Sequence, residues 1–262
     1  MKKHLLIAGL LLLTSACQSA TPTPEPSPFP TATVPASSPT PIPATATPEL
    51  TSTPEPTPTP LPRFFTQEFD MSLAGWVILQ AGNEALPNAS LENSTLRLQM
   101  DAPYSWLYAL YSPEEYTDVY IETEYVNSAL SPASAGLVCR YSEEDGWLEY
   151  NVSTDGTYNV LYGKWLDTGI ADYLPILDGT SRDVKQSGDL QQIALTCTGT
   201  TLYLHINGTI VRSANVSSYD LPPGKVGVTA SSFENVPVIA AFNWVTVREP
   251  QSHLPVGDRE AL

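Results

Sequence analysis

The chain has 262 residues, with 28 Asp and Glu against 12 Lys and Arg, which gives a formal net charge of −16 at pH 7. A protein with this balance lacks the clustered basic side chains that neutralise phosphate groups, so nucleic acids and anionic lipid surfaces are poor candidates for partners. Neutral sugars and cations suit an acidic surface better.

The first 17 residues have the pattern of an export signal. Two lysines precede an apolar run at residues 5–13, which ends at small residues and a cysteine. The run is about half the ~20 apolar residues that a membrane-spanning helix needs, so it predicts a signal peptide at residues 1–16. Residues 13–17, Leu-Thr-Ser-Ala-Cys, resemble the bacterial lipobox, in which the cysteine is lipidated. We therefore expect Cys17 to anchor the protein to a membrane at the extracytoplasmic face of a bacterial cell envelope; the alternative is an ordinary cleavage site before a cysteine.

Low-complexity sequence follows the cysteine. Residues 21–62 hold 15 of the 25 prolines, interleaved with Thr, Ser and Ala, and carry no Lys or Arg. Such a composition cannot bury a core, and proline favours the extended polyproline II conformation. Residues 17–62 are therefore predicted to be the lipidated cysteine and a stalk or disordered linker, residues 63–248 a single folded domain, and residues 249–262 a loose tail.

The folded domain is predicted to be all-β. Apolar and polar residues alternate with a period of two in many segments, as at residues 96–101 and 202–206, which is typical of half-buried strands. In the segment at residues 119–125, Val119, Ile121 and Tyr125 fall on one face, and Tyr120, Glu122 and Glu124 on the other. Asp-Gly at residues 155–156 and Asn-Gly at 207–208 are typical hairpin turns. No ten-residue amphipathic helix is found after residue 63, so an antiparallel β-sandwich is expected.

Two cysteines remain in the domain, Cys139 and Cys197, both in strand-like segments. Disulfides persist in the oxidising compartments that exported proteins reach, so we expect these two to pair. Two buried free thiols are the alternative. Neither cysteine has the CxxC spacing or the neighbouring histidine of a metal ligand or nucleophile.

Few side chains could carry catalysis. The domain and tail hold only His205 and His253, and no GxSxG motif is present, so a Ser-His-Asp triad and a zinc site are not expected. No loop has the ligand spacing of a calcium site, so no metal or cofactor is predicted. Paired carboxylates remain, since glycosidases use two; Glu122 and Glu124 share a face but are more simply explained as solvated residues of an outer strand.

The order of the strand motifs resembles that of the concanavalin A-like jelly rolls, in particular the laminin-G-like and 3-keto-disaccharide hydrolase-like branches. In the second branch an arginine, a glutamate and an amide line the concave face of a sheet. The resemblance places Arg140, Glu149 and Asn151 at those positions, with asparagine where glutamine is usual. The segments that carry the resemblance are residues 69–76, 118–122, 135–140, 146–152, 202–208, 224–228 and 242–247.

The strand at residues 146–152 is the candidate binding strand. Trp147, Glu149 and Asn151 alternate onto one face, and a tryptophan beside polar groups can serve as a platform for a sugar ring. In the alternative interpretation, Arg140 and Glu149 form a structural cross-strand ion pair and Trp147 packs under a loop.

From these residues we expect a surface-displayed lipoprotein whose sandwich binds a neutral glycan without catalysis. The ligand-binding candidates are Arg140, Trp147, Glu149, Asn151 and Glu122. One alternative is an enzyme acting on 3-keto-disaccharides, with Glu149 or Glu122 as base and Arg140 holding the substrate. Another is a protein-interaction module of a surface assembly.

Overall fold

The fold is taken from a computed structural model of the chain, which describes residues 61–83, 86–129, 132–167 and 169–251. The predicted signal peptide, Cys17, all but the last two residues of the predicted stalk, and the tail beyond residue 251 lie outside the described residues. Within them, no helix is long and apolar enough to span a membrane.

Fifteen β-strands make up the regular structure of the described residues. In chain order they are β1 (Phe65–Gln67), β2 (Trp76–Ala81), β3 (Asn88–Glu92), β4 (Thr95–Met100), β5 (Trp106–Tyr116), β6 (Val119–Ser128), β7 (Ala133–Ser142), β8 (Gly146–Ser153), β9 (Thr157–Trp165), β10 (Ala171–Thr180), β11 (Leu190–Thr198), β12 (Thr201–Ile206), β13 (Thr209–Asn215), β14 (Gly224–Ser232) and β15 (Val238–Arg248).

The strands form two antiparallel sheets. The eight-stranded sheet has the order β13-β12-β11-β6-β15-β4-β3, with β1 paired to β15. The seven-stranded sheet has the order β10-β9-β8-β7-β14-β5-β2. Sequence neighbours such as β5 and β6 lie in different sheets, so the chain crosses between layers as jelly rolls do. The predicted all-β sandwich is confirmed.

Alternating burial explains why these segments become strands. In β4 and β12 every second residue is buried, and in β6 Val119, Ile121 and Tyr125 face the core while Tyr120 and Glu122 face outward. Side chains on a strand point to opposite faces in turn, so this pattern buries one face of the sheet and leaves the other polar. One large cluster of apolar side chains fills the space between the two sheets.

Both predicted Gly-containing turns close hairpins. Gly156 lies between β8 and β9 with φ of 89°, and Asp155 Oδ1 accepts a hydrogen bond from the Thr157 amide at 3.0 Å. Asn207 and Gly208, between β12 and β13, have φ of 47° and 80°. These positive angles suit glycine and asparagine better than other residues, which is why the turns could be predicted.

Cys139 in β7 and Cys197 in β11 form a disulfide. Because β7 belongs to the seven-stranded sheet and β11 to the eight-stranded sheet, the bridge joins the two layers through the core. The predicted pairing is confirmed, and the alternative of two free thiols is not.

The N-terminal end of the described chain is fastened to β5. The hydroxyl of Tyr111 donates to the carbonyl of Pro62 at 2.6 Å, and that of Tyr116 donates to the carbonyl of Arg63. The Arg63 guanidinium also pairs with Glu114 at 2.8 Å and lies 4.8 Å from the ring centroid of Tyr116. The chain thus enters the sandwich through fixed contacts rather than a free hinge.

Candidate functional site

The seven-stranded sheet curls so strongly that its outer face becomes concave. Five strand steps separate β10 from β5, which in a flat sheet would set their backbones about 24 Å apart. Yet the ring of Tyr173 in β10 stacks on that of Trp106 in β5, with centroids 5.1 Å apart and an interplanar angle of 25°. Strand β10 therefore folds over the outer face, which we call the concave face.

Glu149 lies at the centre of the concave face and is completely buried. Its Oε2 accepts hydrogen bonds from the Tyr108 hydroxyl at 2.9 Å and the Trp147 indole N–H at 3.0 Å. Its Oε1 accepts one from Asn151 Nδ2 at 2.8 Å. Hydrogen bonds of this kind satisfy a carboxyl group that burial has removed from water.

The network extends to the closing strand. The hydroxyls of Tyr108 and Tyr173 lie 2.5 Å apart. Because the single Tyr108 proton is donated to Glu149, Tyr173 must donate to Tyr108. Glu149 in β8 is thereby linked through β5 to β10, and the network holds the curled sheet closed.

Burial dominates the ionisation of these groups. It raises the pKa of Glu149 above its usual range, although the hydrogen bonds from Trp147, Asn151 and Tyr108 act in the opposite direction. Burial also raises the pKa of Tyr108 and of Tyr173, and the nearby Glu149 charge adds to both shifts. The folded protein therefore holds protons on this network more tightly than exposed side chains would.

Aromatic rings surround the indole of Trp147. The rings of Tyr108, Tyr141, Trp165 and Tyr173 have centroids 5.3 to 6.0 Å from it. Gly163, the register partner of Trp147, makes this possible: a Cβ there would come within 2.3 Å of the indole. The ring thus lies flat over β9, and the predicted sugar platform is fully buried.

A cleft of about 380 Å³ opens beside this cluster. Trp165 is half-buried there, and its indole N–H donates to the Tyr141 hydroxyl at 2.8 Å. Leu79 packs against the same cluster from the other side. The cleft is lined by Leu79, Gln80, Tyr141, Glu143, Trp165 and Gly169.

Arg140 does not join the site. It has φ of 54° at a break in the register between β7 and β8, which turns its side chain away from Glu149. Its Nε donates to the carbonyl of Thr117 at 3.1 Å, its Nη2 to that of Gly199 at 2.6 Å, and Asp118 lies 3.7 Å away. The hypothesised ion pair between Arg140 and Glu149 is therefore wrong, because this guanidinium joins two turns at the end of the sandwich.

Glu122 is also remote from the concave face. It lies on the outer face of the eight-stranded sheet, where its carboxylate accepts a hydrogen bond from Gln192 at 2.9 Å. Glu124 on the same face accepts one from Asn243 at 2.8 Å. The two residues share one face, as their alternation predicts, but the predicted outer strand is wrong, because β6 is flanked by β11 and β15. The structure does not bring Glu122 together with Glu149.

Three of the predicted site residues do converge. Trp147, Glu149 and Asn151 share the concave face, as their alternation predicts, but they are buried rather than exposed. Sequence reasoning did not assign Tyr108, Tyr141, Trp165 or Tyr173 to the site. Alternation in the sequence places Trp106 and Tyr108 on one face of a strand, which could have indicated Tyr108. No sequence pattern indicates that β10 contributes Tyr173 to the site.

One carboxyl group of the concave face is buried. Glu149 is the only buried carboxylate in the part of the chain that the structure describes, and its hydrogen-bond partners are an indole, a phenol and an amide. Glycosidases need a second carboxyl group about 5 to 9.5 Å away across the substrate bond. Over the described ranges, no three His, Cys, Asp or Glu side chains are grouped to hold a metal ion.

No protein-family model and no curated protein sequence matches the chain. Solved structures do match. A β-glucanase from Bacillus licheniformis superposes with a TM-score of 0.51 at 13% identity, covering 71% of this chain and 98% of that one. A carbohydrate-binding module from Bacillus subtilis gives 0.50 at 13% identity, covering 67% and 96%. A Bacteroides ovatus mixed-linkage glucan protein in complex with its product gives 0.52 at 10% identity, covering 70% and 99%.

Identities this low establish the fold and nothing finer. The fold is a concanavalin-like jelly roll, the architecture shared by these glucanases and carbohydrate-binding modules. Function belongs to sites rather than to folds, so it has to be argued from the concave face itself.

Proposed function

We propose that the domain binds a neutral glycan, without cleaving it, in the cleft at the mouth of the concave face. The observation that carries this proposal is the half-buried Trp165, which presents part of its indole to an open cleft. Aromatic rings pack against the apolar faces of sugars, and adjacent polar groups bind their hydroxyls. Glu143 supplies such a group here.

The charge of the cleft favours a neutral ligand. Glu143 is the one ionisable carboxylate among the residues that line it, and none of them is Lys or Arg. A uronic acid or a sulfated sugar would meet a like charge with no cation to offset it.

The buried residues support the cleft from behind. Trp147 packs against both Trp165 and Tyr141, with centroid separations of 5.5 and 5.3 Å, and Glu149 fixes the Trp147 indole N–H. In this proposal Trp147, Glu149 and Asn151 position the lining residues rather than touch the sugar. Binding without turnover is the proposed outcome because Glu149 already accepts three hydrogen bonds from neighbouring side chains.

The test is a broad array of neutral and acidic glycans probed with the domain. We expect neutral glycans among the hits, and Trp165→Ala to weaken their binding at least tenfold. Trp244→Ala is the matched control, because Trp244 is half-buried in β15 of the other sheet. An array without hits, or equal losses in the two variants at equal melting temperature, would overturn the proposal.

We further propose that the domain is displayed from a membrane by a lipid on Cys17 and a proline-rich stalk. The support is the sequence of residues 1–62 alone. In a bacterial host, the protein is expected in the membrane fraction, and Cys17→Ser is expected to release it. Retention of the Cys17→Ser variant in membranes would contradict lipid anchoring.

An enzyme acting on 3-keto-disaccharides is the second candidate, favoured by the raised pKa of Glu149, which is the tuning that a general acid or base needs. Arg140 could not hold the substrate, since its guanidinium is committed elsewhere. Turnover of 3-keto-glycosides that is lost in Glu149→Gln while binding persists would establish the enzyme. If the unmodified protein binds 3-keto-glycosides without turning them over, the function is glycan binding and not catalysis.

A further inference from the structure

Among the buried polar atoms that lack a hydrogen-bond partner, two belong to residues on either side of Gly136 on the concave face. They are Oδ1 of Asn151, whose residue is 3% exposed, and Oγ1 of Thr229, whose residue is fully buried. Leaving a buried polar atom unpaired is costly, and native proteins nearly always supply a partner. Where a neighbouring residue without a side chain leaves room, a non-protein partner is therefore expected beside such atoms.

The sheet register places the two residues on either side of one glycine. Thr229 of β14 and Asn151 of β8 are both register partners of Gly136 in β7, one on each side. All three residues face the concave side, and the glycine between the other two has no side chain. A Cβ on Gly136 would come within 2.4 Å of Asn151 Oδ1, so the amide oxygen leans over the glycine toward β14.

The hydrogen bonds of Asn151 fix which end of its amide faces the gap. Nδ2 donates to Glu149 Oε1 at 2.8 Å and to Asn159 Oδ1 at 3.3 Å. If the nitrogen and oxygen of the Asn151 amide were exchanged, the oxygen would face two hydrogen-bond acceptors, Glu149 Oε1 and Asn159 Oδ1. The amide oxygen must therefore lie over Gly136. The gap is thus bordered by a carbonyl acceptor and by a hydroxyl that can donate or accept.

The surroundings determine the chemical class of the missing partner. The next row of the same face holds the hydroxyls of Ser134 and Ser231, 2.5 Å apart and buried. None of the described residues that the register places beside the gap is Lys, Arg or His, so an anion would meet no positive charge there, and a free cation would find one carbonyl and neutral hydroxyls. A neutral hydroxyl, which donates to Asn151 Oδ1 and accepts from Thr229, satisfies both atoms.

We propose that the space over Gly136 is a binding site for one neutral hydroxyl group. Its source is either an ordered water molecule or a hydroxyl of a bound glycan, and the closed position of the site favours water. The bound group extends the Glu149 network from Asn151 across β7 to β14. Only the glycan source rests on the proposed function; the water source is independent of it.

Thr229→Val tests the site, because valine keeps the shape of threonine and removes the hydroxyl. If a bound hydroxyl pairs with Thr229, the variant loses one hydrogen bond, and its melting temperature falls by about 2 to 4 °C in a domain of this size. Thr229→Ser, which keeps the hydroxyl, is expected to retain the bound group. A crystal structure of the unmodified protein should show density within hydrogen-bonding distance of both atoms.

Thr196→Val is the matched control. Thr196 is equally buried, and its hydroxyl also lacks a partner, but it lies on the outer face of the eight-stranded sheet between Tyr120 and Tyr203, with no glycine gap beside it. Removing an unsatisfied hydroxyl is neutral or stabilising, so this variant should not melt earlier. Equal or higher melting temperatures for both valine variants would overturn the proposal.

Measurements of glycan binding distinguish a bound water molecule from a sugar hydroxyl. If the group is water, Thr229→Val binds the array hits as the unmodified protein does; if it is a sugar hydroxyl, binding weakens about tenfold. An array without hits counts against the proposed function, while the melting comparison still decides the hydroxyl site.

Discussion

Tyr108 donates a hydrogen bond to Glu149 across 2.9 Å, although their strands, β5 and β8, lie three positions apart in the sheet. Such a contact is possible only because the sheet curls and because the intervening Gly136 and Gly227 leave room on the concave face. The carboxyl group of Glu149 is therefore a structural centre, and burial raises its pKa.

Glu149→Gln should change how stability depends on pH. The pKa of Glu149 is raised in the folded state, so the stability that its carboxyl contributes is full below the ordinary value of 4.5 and is lost as the pH rises through the raised value. Glutamine stays neutral. The unfolding free energy of the unmodified protein should therefore fall relative to that of the variant as the pH increases.

Urea unfolding between about pH 4 and pH 8 measures this difference. Glu122→Gln, on the outer face of the other sheet, is the control and should follow the unmodified protein. A constant offset between Glu149→Gln and the unmodified protein at every pH would contradict the prediction.

Gly163→Ala should disturb the aromatic cluster. The added Cβ would lie 2.3 Å from the Trp147 ring, which is held by four other rings and by its bond to Glu149, so the ring cannot move aside cheaply. Overpacking of this kind costs about 1 to 3 kcal/mol. Lys164→Ala, at the exposed neighbouring position, is the control. Equal denaturation midpoints for the two variants would show that the cluster is looser than described.

Tyr173→Phe should loosen the closing strand without removing its ring. The variant keeps the stacking on Trp106 and loses the hydrogen bond to Tyr108, a loss of about 1 kcal/mol. Tyr173→Ala loses both and should cost about 3 kcal/mol or more. Amide hydrogen exchange of β10 should rise in the same order, and unchanged protection in Tyr173→Ala would argue that other contacts hold β10 down.

Arg140→Lys should lower stability and leave glycan binding unchanged. A lysine cannot reproduce the fork that joins the carbonyls of Thr117 and Gly199, and each hydrogen bond lost costs about 0.5 to 1.5 kcal/mol. Array hits bound by the folded variant should match those of the unmodified protein. If Arg140→Lys lost glycan binding but kept the stability of the unmodified protein, Arg140 would have to belong to the ligand site.

The sequence predicted the sandwich because its determinants are local. Alternation in β4, β6 and β12, and the turns at Gly156 and Gly208, each depend on a few adjacent residues. The same alternation correctly grouped Trp147 with Glu149. It could not show that the face carrying them is covered, because that depends on the curl of seven strands.

The direction of the Arg140 side chain could not be predicted from the sequence. Simple alternation along β7 assigns it to a sheet face, but a positive φ and a break in register turn the side chain toward the end of the sandwich. No neighbouring residue in the sequence indicates that Arg140 adopts the left-handed backbone conformation, which usually favours glycine or asparagine. Likewise, the stacking of Tyr173 on Trp106 joins residues far apart in the chain, so no local sequence pattern predicts it.

The attachment of the N-terminal chain has a mechanical consequence. Three residue pairs join β1 to β15, from Phe65 opposite Val247 to Gln67 opposite Val245, and Tyr111 and Tyr116 grip the carbonyls just before them. A pull directed along β1 would load these bonds together, in shear, whereas a pull directed away from the sheet would open them one after another. In either direction, a force on the N-terminal side would meet these contacts before it reached the rest of the sandwich.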